Sequence, residues 1–400
     1  MWPPSPVLRR FALAHFFLEC QFWFPVWMLF LTHRGFDLTT MVLADGVFRF
    51  TMVALEFPMG VFSDRIGRKR SYVLIATLAA ATYAGIMLVD GTAMLFAVWI
   101  LWGVFWALAS GTTSAYCYEL LALEGRQAAS VAVFGFMRAV ASSAALVSHL
   151  AAGFLFAGAP ALPFVANGVL ALGALGLAIT LPNPPRDGGR TQRPRSFRQF
   201  LALDDRGSSV FVGLVLLALA LIYFWSPRIL MQPLFIELSL APVLVSTVYF
   251  FYSLAGVGAG LAMRPIQARM GTRPSILAGL GLLWLGVWLV ALVPGRAALF
   301  FFPLLSFGYY LAQTLLEVVL HGQLANRHRA SLLSAASFMG GIVIIVTRPG
   351  LGMLADAMSA PFAFLVWAGV GVVIVGAFAA FVRRLPGDLP ATSPTQPPPR

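Results

Sequence analysis

Long apolar runs alternate along the chain with short connectors rich in charge. Twelve of the runs reach about 20 residues, the length at which an α-helix crosses the hydrocarbon core of a bilayer. They fall at residues 10–31, 40–62, 72–89, 93–120, 128–157, 162–181, 209–232, 242–263, 275–293, 297–321, 331–355 and 361–382. One connector is long: 182–207 is polar, rich in Pro, Gly and Arg, and divides the spans into two sets of six. The predicted organisation is a six-helix half over 1–181, a basic cytoplasmic linker over 182–207, a second six-helix half over 208–385 and a disordered Pro-rich tail over 386–400. Within the linker, Phe197, Phe200, Leu201 and Leu203 alternate with Arg198 and Gln199. That pattern fits either a short amphipathic helix on the inner leaflet or a flexible basic tether.

Composition agrees with the pattern. A chain that is 60% hydrophobic and 10% charged, with a mean hydropathy of +0.85, has too little polar surface for a soluble globule. The net charge of +12 raises the question of nucleic acid, and the placement of the bases answers it. With both termini in the cytoplasm, all of the 27 Lys and Arg lie in cytoplasmic segments except Arg34, Arg49, Arg138, Arg228, Arg296 and Arg348. This asymmetry is the positive-inside rule, so no nucleic-acid partner is expected. The first apolar run is too long for a signal peptide and lacks a cleavage site, so the first helix is its own targeting signal. Cys20 and Cys117 fall within spans without metal-ligand spacing, and no metal site is expected.

The connector after the second run reads Gly-Val-Phe-Ser-Asp-Arg-Ile-Gly-Arg-Lys-Arg over 60–70. A weaker copy lies 204 residues downstream, where Arg269, Gly271 and Ser275 match Arg65, Gly67 and Ser71, and Arg273 stands for Lys69. Arg126 to Ser130, entering the fifth run, is echoed by Arg327 to Ser331 entering the eleventh, with Phe136-Met137 and Phe338-Met339 following. The chain reads as a duplicated unit. Gly67 permits a turn conformation that a Cβ resists, and Gly60 lets two helix ends approach closely.

The pattern Gly-x-x-x-Asp-Arg-x-Gly-Arg-Lys-Arg resembles the loop between helices 2 and 3 of the major facilitator superfamily of secondary transporters, and the resemblance covers nearly the whole chain. It implies an all-α integral membrane fold of twelve transmembrane helices in two pseudo-symmetric six-helix halves, with substrate near the midplane between them. It also implies that Gly60, Asp64, Arg65, Gly67, Arg68, Lys69 and Arg70 form a conformational motif. In that motif Asp64 engages the start of a helix in the other half and holds one state. Ala268 replaces the acid in the second copy, so one such latch is expected. The approach Glu56-Phe57-Pro58-x-Gly60 is similar to that of a bacterial, efflux-like branch of the family.

Polar side chains inside the spans recur at helical spacing. A charge at the bilayer centre costs about 2.5 to 3.5 kcal/mol on insertion scales, so each needs a partner, a watery cavity or a function. Stripes run through His15, Glu19 and Phe22; through Asp45, Arg49 and Glu56; through Arg138, Ser142 and His149; and through Ser306, Tyr310, Gln313 and Glu317. They fall on helices that line or flank the central cavity in the resembled fold. Candidate coupling residues are Glu19, Asp45, Arg49, Arg138 and Glu317. Glu19 and Glu317 can exchange protons if their surround is apolar, or they make fixed hydrogen bonds or salt bridges. Asp45 and Arg49 have the spacing and order of an intrahelical pair. Arg138 either pairs with Glu19 or Asp45 or holds an anionic substrate.

A tryptophan stripe, Trp99, Trp102 and Trp106 with Thr113 beyond it, makes either an aromatic wall for flat or cationic ligands or a packing face. Phe22, Trp23, Tyr223, Tyr249, Tyr310 and Gln313 complete the candidate cavity. Two departures weaken proton antiport: Trp99 stands before Gly103 where many efflux members carry Arg, and 145–153 lacks the antiporter Gly-Pro pair. The chain carries no Gly-x-x-x-x-Gly-Lys-Ser/Thr loop and no His-Glu-x-x-His, so neither an enzyme nor a cofactor is expected. The resulting expectation is a monomeric transporter in the bacterial cytoplasmic membrane, contacting lipids and exporting a small amphipathic molecule, with coupling to protons left open. Import of a small organic anion, drawn by Arg49 and Arg138, is the alternative, and a non-transporting sensor or assembly protein on the same scaffold is a second.

Overall fold

The computed structural model describes residues 5–184, 219, 222–323 and 329–382. The linker beyond residue 184 and the tail lie outside the described residues. So does most of the run at 209–232. The helices are α1 (Pro6–Glu19), α2 (Trp27–His33), α3 (Leu38–Ile66), α4 (Arg68–Met87), α5 (Thr92–Leu123), α6 (Ser130–Gly158) and α7 (Leu162–Thr180). They continue with α8 (Met231–Glu237), α9 (Pro242–Met270), α10 (Thr272–Leu292), α11 (Phe302–Gln323), α12 (Arg329–Ala357) and α13 (Ala360–Val382). Ten helical stretches among the described residues are long and apolar enough to cross a membrane.

The first span departs from expectation. The run at 10–31 is two helices, α1 and α2, separated by non-helical backbone around Gln21–Val26. Pro25 has no N–H to continue the ladder, and the groups it frees cannot turn to water inside a membrane. Side chains from other helices satisfy them. Ser148 Oγ accepts from the Gln21 amide at 2.8 Å, and Asn167 Oδ1 from the Trp23 amide at 3.1 Å. Asn167 Nδ2 donates to the Cys20 carbonyl at 2.5 Å. Gln232 donates to the Phe24 carbonyl at 2.8 Å and accepts from the Met28 amide at 2.9 Å.

The duplication is visible in the backbone. Counting 204 residues on from the first break reaches a second, where the helix through 222–225 gives way at Ser226 to a 3₁₀ turn over Pro227–Leu230 before α8. The charged connector also repeats, although it is shorter than its sequence suggests. Only Gly67 separates α3 from α4, with φ +92°, and Gly271 separates α9 from α10 with φ +82°, a region that favours glycine. Ser71 Oγ and Ser275 Oγ donate to the carbonyls of these two glycines at 3.1 Å and 2.6 Å.

The described residues divide into two compact units. The first gathers those of Met1–Ser196, Arg228–Ser253 and Gly341–Ala363. Here α5 lies close on α3 because Gly103 has no side chain: a Cβ there would stand 2.6 Å from that of Thr51. The first half of α3 runs antiparallel to the second half of α12 in a regular register. Thr39 Oγ1 bonds Asp356 Oδ2 at 2.6 Å, Gly352 admits Val42, Gly46 admits Pro349, and Gly341 admits Val53. A similar seam joins α6 to α9, where Gly153 admits the Pro242 carbonyl and His149 meets Ser253 at 2.9 Å. Apart from Gly341–Val53, near the middle of both helices, these contacts lie toward the helix ends remote from Asp64. Gly60 is not one of the close-approach glycines: a Cβ there meets nothing within 4 Å.

The second unit gathers the described residues of Phe197–Pro227, Leu254–Gly340 and Phe364–Arg400. Its α10 and α11 cross at Gly279 and Gly308, each set against the other's backbone. Phe224 stacks on Tyr309 at 3.6 Å, and the Trp367 indole donates to the Tyr223 carbonyl at 2.9 Å.

Candidate functional site

Asp45 and Arg49 sit on α3 roughly 10 and 16 Å from its start at 1.5 Å per residue, inside a bilayer core of about 30 Å. The intrahelical pair that their spacing predicts is not the ion pair that forms. Asp45 Oδ2 meets Nη1 of Arg348, on α12, at 2.8 Å. Both side chains are buried, with exposures of 10% and 7%. The α3–α12 seam sets residues 45 and 348 face to face, while Arg49 stays within reach of the Asp45 charge. Arg228, in the second helix break, lays its guanidinium over the Phe24 ring at 4.4 Å and within 5.5 Å of the Tyr252 ring centroid.

These side chains form one electrostatic neighbourhood. Arg49 feels the charges of Arg348, Asp45 and Arg228; Arg348 feels those of Asp45 and Arg228; His149 feels that of Arg228. His149 is fixed through Nδ1 to Ser253 Oγ, while its buried Nε2 has no hydrogen-bond partner among the described residues. Tyr249 packs beside it, with ring centroids 6.0 Å apart. Among the described residues, Asp45 thus has Arg348 in direct contact and Arg49 within reach of its charge, while Arg228 acts on both arginines and on His149.

A second, smaller group lies nearby in sequence. Glu19 ends α1 at the first break, with His15 Nδ1 3.8 Å from its Oε1 and its side chain 28% exposed. The charge of Arg138, exposed on α6, reaches it. Pairing with Glu19 is one of the alternatives open for Arg138. Glu317 falls on α11, and its side chain lies outside the described residues.

Of the two readings of the tryptophan stripe, the packing face fits Trp102. That ring is 2% exposed and enclosed by Trp23 at 4.1 Å, Trp99 at 5.5 Å and Tyr83 at 5.9 Å. Trp106 and Phe22 are half-buried. The Thr113 hydroxyl bonds the Ala109 carbonyl of its own helix at 3.1 Å. Tyr223, Tyr310 and Gln313 belong to the second unit, where Tyr223 is buried against Trp367 and Tyr310 packs on Tyr309 at 5.1 Å.

In the basic motif, Arg68 is the hub. It pairs with Asp64, meets Glu119 at 3.2 Å and donates to Ser63 at 2.9 Å. Arg65 is exposed, while Lys69 and Arg70 line a surface cleft of about 340 Å³ with Val73 and Asn183.

Sequence reasoning passed over Arg228, Arg348, Asn167 and Gln232. Each is a polar residue within or beside an apolar run, and the cost of burying it was the available signal.

The fold and site define a polytopic helical membrane protein with broken spanning helices and a buried ion pair between two of its spans. The chain belongs to the Major Facilitator Superfamily, whose family model matches residues 11–347. A stretch of 88 residues is 30% identical to the Uncharacterized MFS-type transporter YxaM of Bacillus subtilis (strain 168), and covers 22% of each chain. The match therefore spans less than a quarter of that relative's length. The crystal structure of the nucleoside transporter NupG has a TM-score of 0.75 at 16% identity, covering 94% of this chain and 99% of that one. A bacterial homologue of the iron transporter ferroportin in the inward-facing state gives 0.72 at 16% over 95% and 100%. The D-xylose-proton symporter gives 0.71 at 15% over 94% and 96%. Identities this low speak for the fold alone.

Proposed function

We propose that the protein is a secondary active transporter that moves a small organic anion across the bacterial cytoplasmic membrane by alternating access. One observation carries the choice of cargo: the buried Arg348 guanidinium in a membrane-spanning unit engages Asp45 through one corner only, leaving its Nε without a partner among the described residues. A guanidinium held in a low-dielectric interior with its fork only partly used favours a visiting anion that completes it. Arginine suits that task, because its planar fork matches carboxylate and phosphate oxygens.

The expected amphipathic cargo has less support. Trp102 keeps no free face, and Thr113 has its hydroxyl bonded within its own helix. Export has none from the comparisons, which include a proton symporter. The basic connectors support cytoplasmic termini.

The test is a ligand-induced thermal shift of the purified protein across monocarboxylates, dicarboxylates, phosphate esters, sugars, nucleosides and hydrophobic cations, followed by uptake into proteoliposomes. Anions should stabilise the protein, and Arg49→Gln or Arg348→Gln should abolish the shift. Stabilisation by cations or neutral amphiphiles alone, lost in Trp106→Ala and kept in Arg348→Gln, would return the site to the amphipathic reading.

A further inference from the structure

The Asp45–Arg348 contact is short but incomplete. Neither Oδ2 nor Nη1 has a hydrogen bond of ordinary alignment, and Nε of Arg348 has no partner among the described residues. A buried Arg–carboxylate pair built for stability is fork to fork, with two parallel bonds. Here the carboxylate touches one corner of the fork. His149 repeats the pattern, with Nδ1 anchored and Nε2 unmatched at 3% exposure. The backbone behind Arg348 is closely confined, since Pro349 follows it and a Cβ on Gly46 would lie 2.8 Å from the Pro349 ring. Asp45 is the shorter partner, and it can leave by rotation about its side-chain bonds alone.

We propose that Asp45 is an internal competitor for the substrate site. A carboxylate or phosphate group of the transported anion replaces the Asp45 carboxylate on Arg348, and completes the fork that Asp45 leaves half used. This deepens the reading above and rests on it. Asp45 then sets both affinity and reversibility: an anion must exceed the internal carboxylate to bind, and the returning carboxylate helps to expel it. The α3–α12 seam would be released at its charged step when the ligand binds.

Full-length protein in nanodiscs, titrated with succinate and with glycerol 3-phosphate, tests the exchange, and the two probes separate carboxylate from phosphate as the displacing group. Asp45→Asn removes the competitor with little change in volume, and should tighten binding of at least one probe by about tenfold or more, about 1.4 kcal/mol. Asp45→Glu keeps the charge and should not tighten it. A purely structural counter-ion predicts the opposite, weaker or unchanged binding in Asp45→Asn with a lower Tm. Wild-type-like or weaker binding of both probes in Asp45→Asn, while wild type binds one of them, overturns the competitor and spares the anion reading. If no anion of the broader panel binds wild type or Asp45→Asn while a neutral solute does, the anion reading itself fails, and the competitor falls with it.

Discussion

Asn167 shows how one side chain can hold a broken helix together. It is 1% exposed, and it serves the Cys20 carbonyl and the Trp23 amide from the two sides of its amide group. Asn167→Ala leaves both backbone groups buried without that partner. The cost should be about 1–3 kcal/mol for each unsatisfied group, read as lost resistance to denaturation in detergent. Asp37 illustrates a milder case at the start of α3. Its carboxylate accepts from the Thr40 amide at 2.7 Å and the Thr40 hydroxyl at 2.8 Å, which hold its carboxyl below the ordinary aspartate value. The sign follows from that depression. The cap stabilises the fold above the pKa of the unfolded chain, and its contribution fades as pH falls through the lower folded value. Asp37→Ala should cost about 1 kcal/mol near neutrality, with the difference from wild type shrinking in acid.

At the scale of elements, the seams between helices depend on residues too small to obstruct them. An alanine at Gly352 would meet Val42, whose branched side chain has little freedom, and one at Gly153 would meet the Pro242 backbone. Both Gly352→Ala and Gly153→Ala should loosen the helix ends remote from Asp64, raising cysteine labelling there. Gly60→Ala meets open space and should be neutral or gain up to about 1 kcal/mol from helix propensity. Equal labelling in all three variants would show that these seams do not close that end. The spans themselves were legible in the sequence because length and hydropathy suffice to mark them. The break in the first span was not. Its run stays apolar through Phe22, Trp23 and Phe24, and its side-chain partners lie 127, 144 and 204 residues away. Asp45 misled for a related reason: Arg49 satisfied the local spacing rule, so nothing in the sequence called for Arg348.

At the largest scale, equivalent positions of the two sequence copies meet within the first unit. Phe24 and Arg228 are 204 residues apart and stack, and Met28 and Gln232, at the same spacing, share a hydrogen bond. Contacts between like positions bring the paired helix breaks of the two copies side by side within that unit. The departures from symmetry are then the informative residues. Phe24 faces Arg228, and Ala268 stands where Asp64 has its copy. Asp64→Asn should leave the fold intact, since Arg68 keeps Glu119 and Ser63, yet alter the balance of states. Single-cysteine labelling at both ends reads that balance, and identical labelling rejects the latch. Proton coupling, if the transporter has it, would be a further departure from the symmetry of the two copies. Glu19 has a position for it: at the end of α1, beside the first break, partly exposed, with His15 at 3.8 Å and the charge of Arg138 acting on it. A carboxylate so placed can exchange a proton for the neighbouring cation's attraction as access alternates. Glu19→Gln should therefore retain anion binding within about threefold, since a change below roughly 0.7 kcal/mol leaves the cargo site intact. Its transport into proteoliposomes should no longer respond to an imposed pH gradient. Retention of the full wild-type response in Glu19→Gln would assign coupling elsewhere, with Glu317 on α11 the next carboxylate to replace.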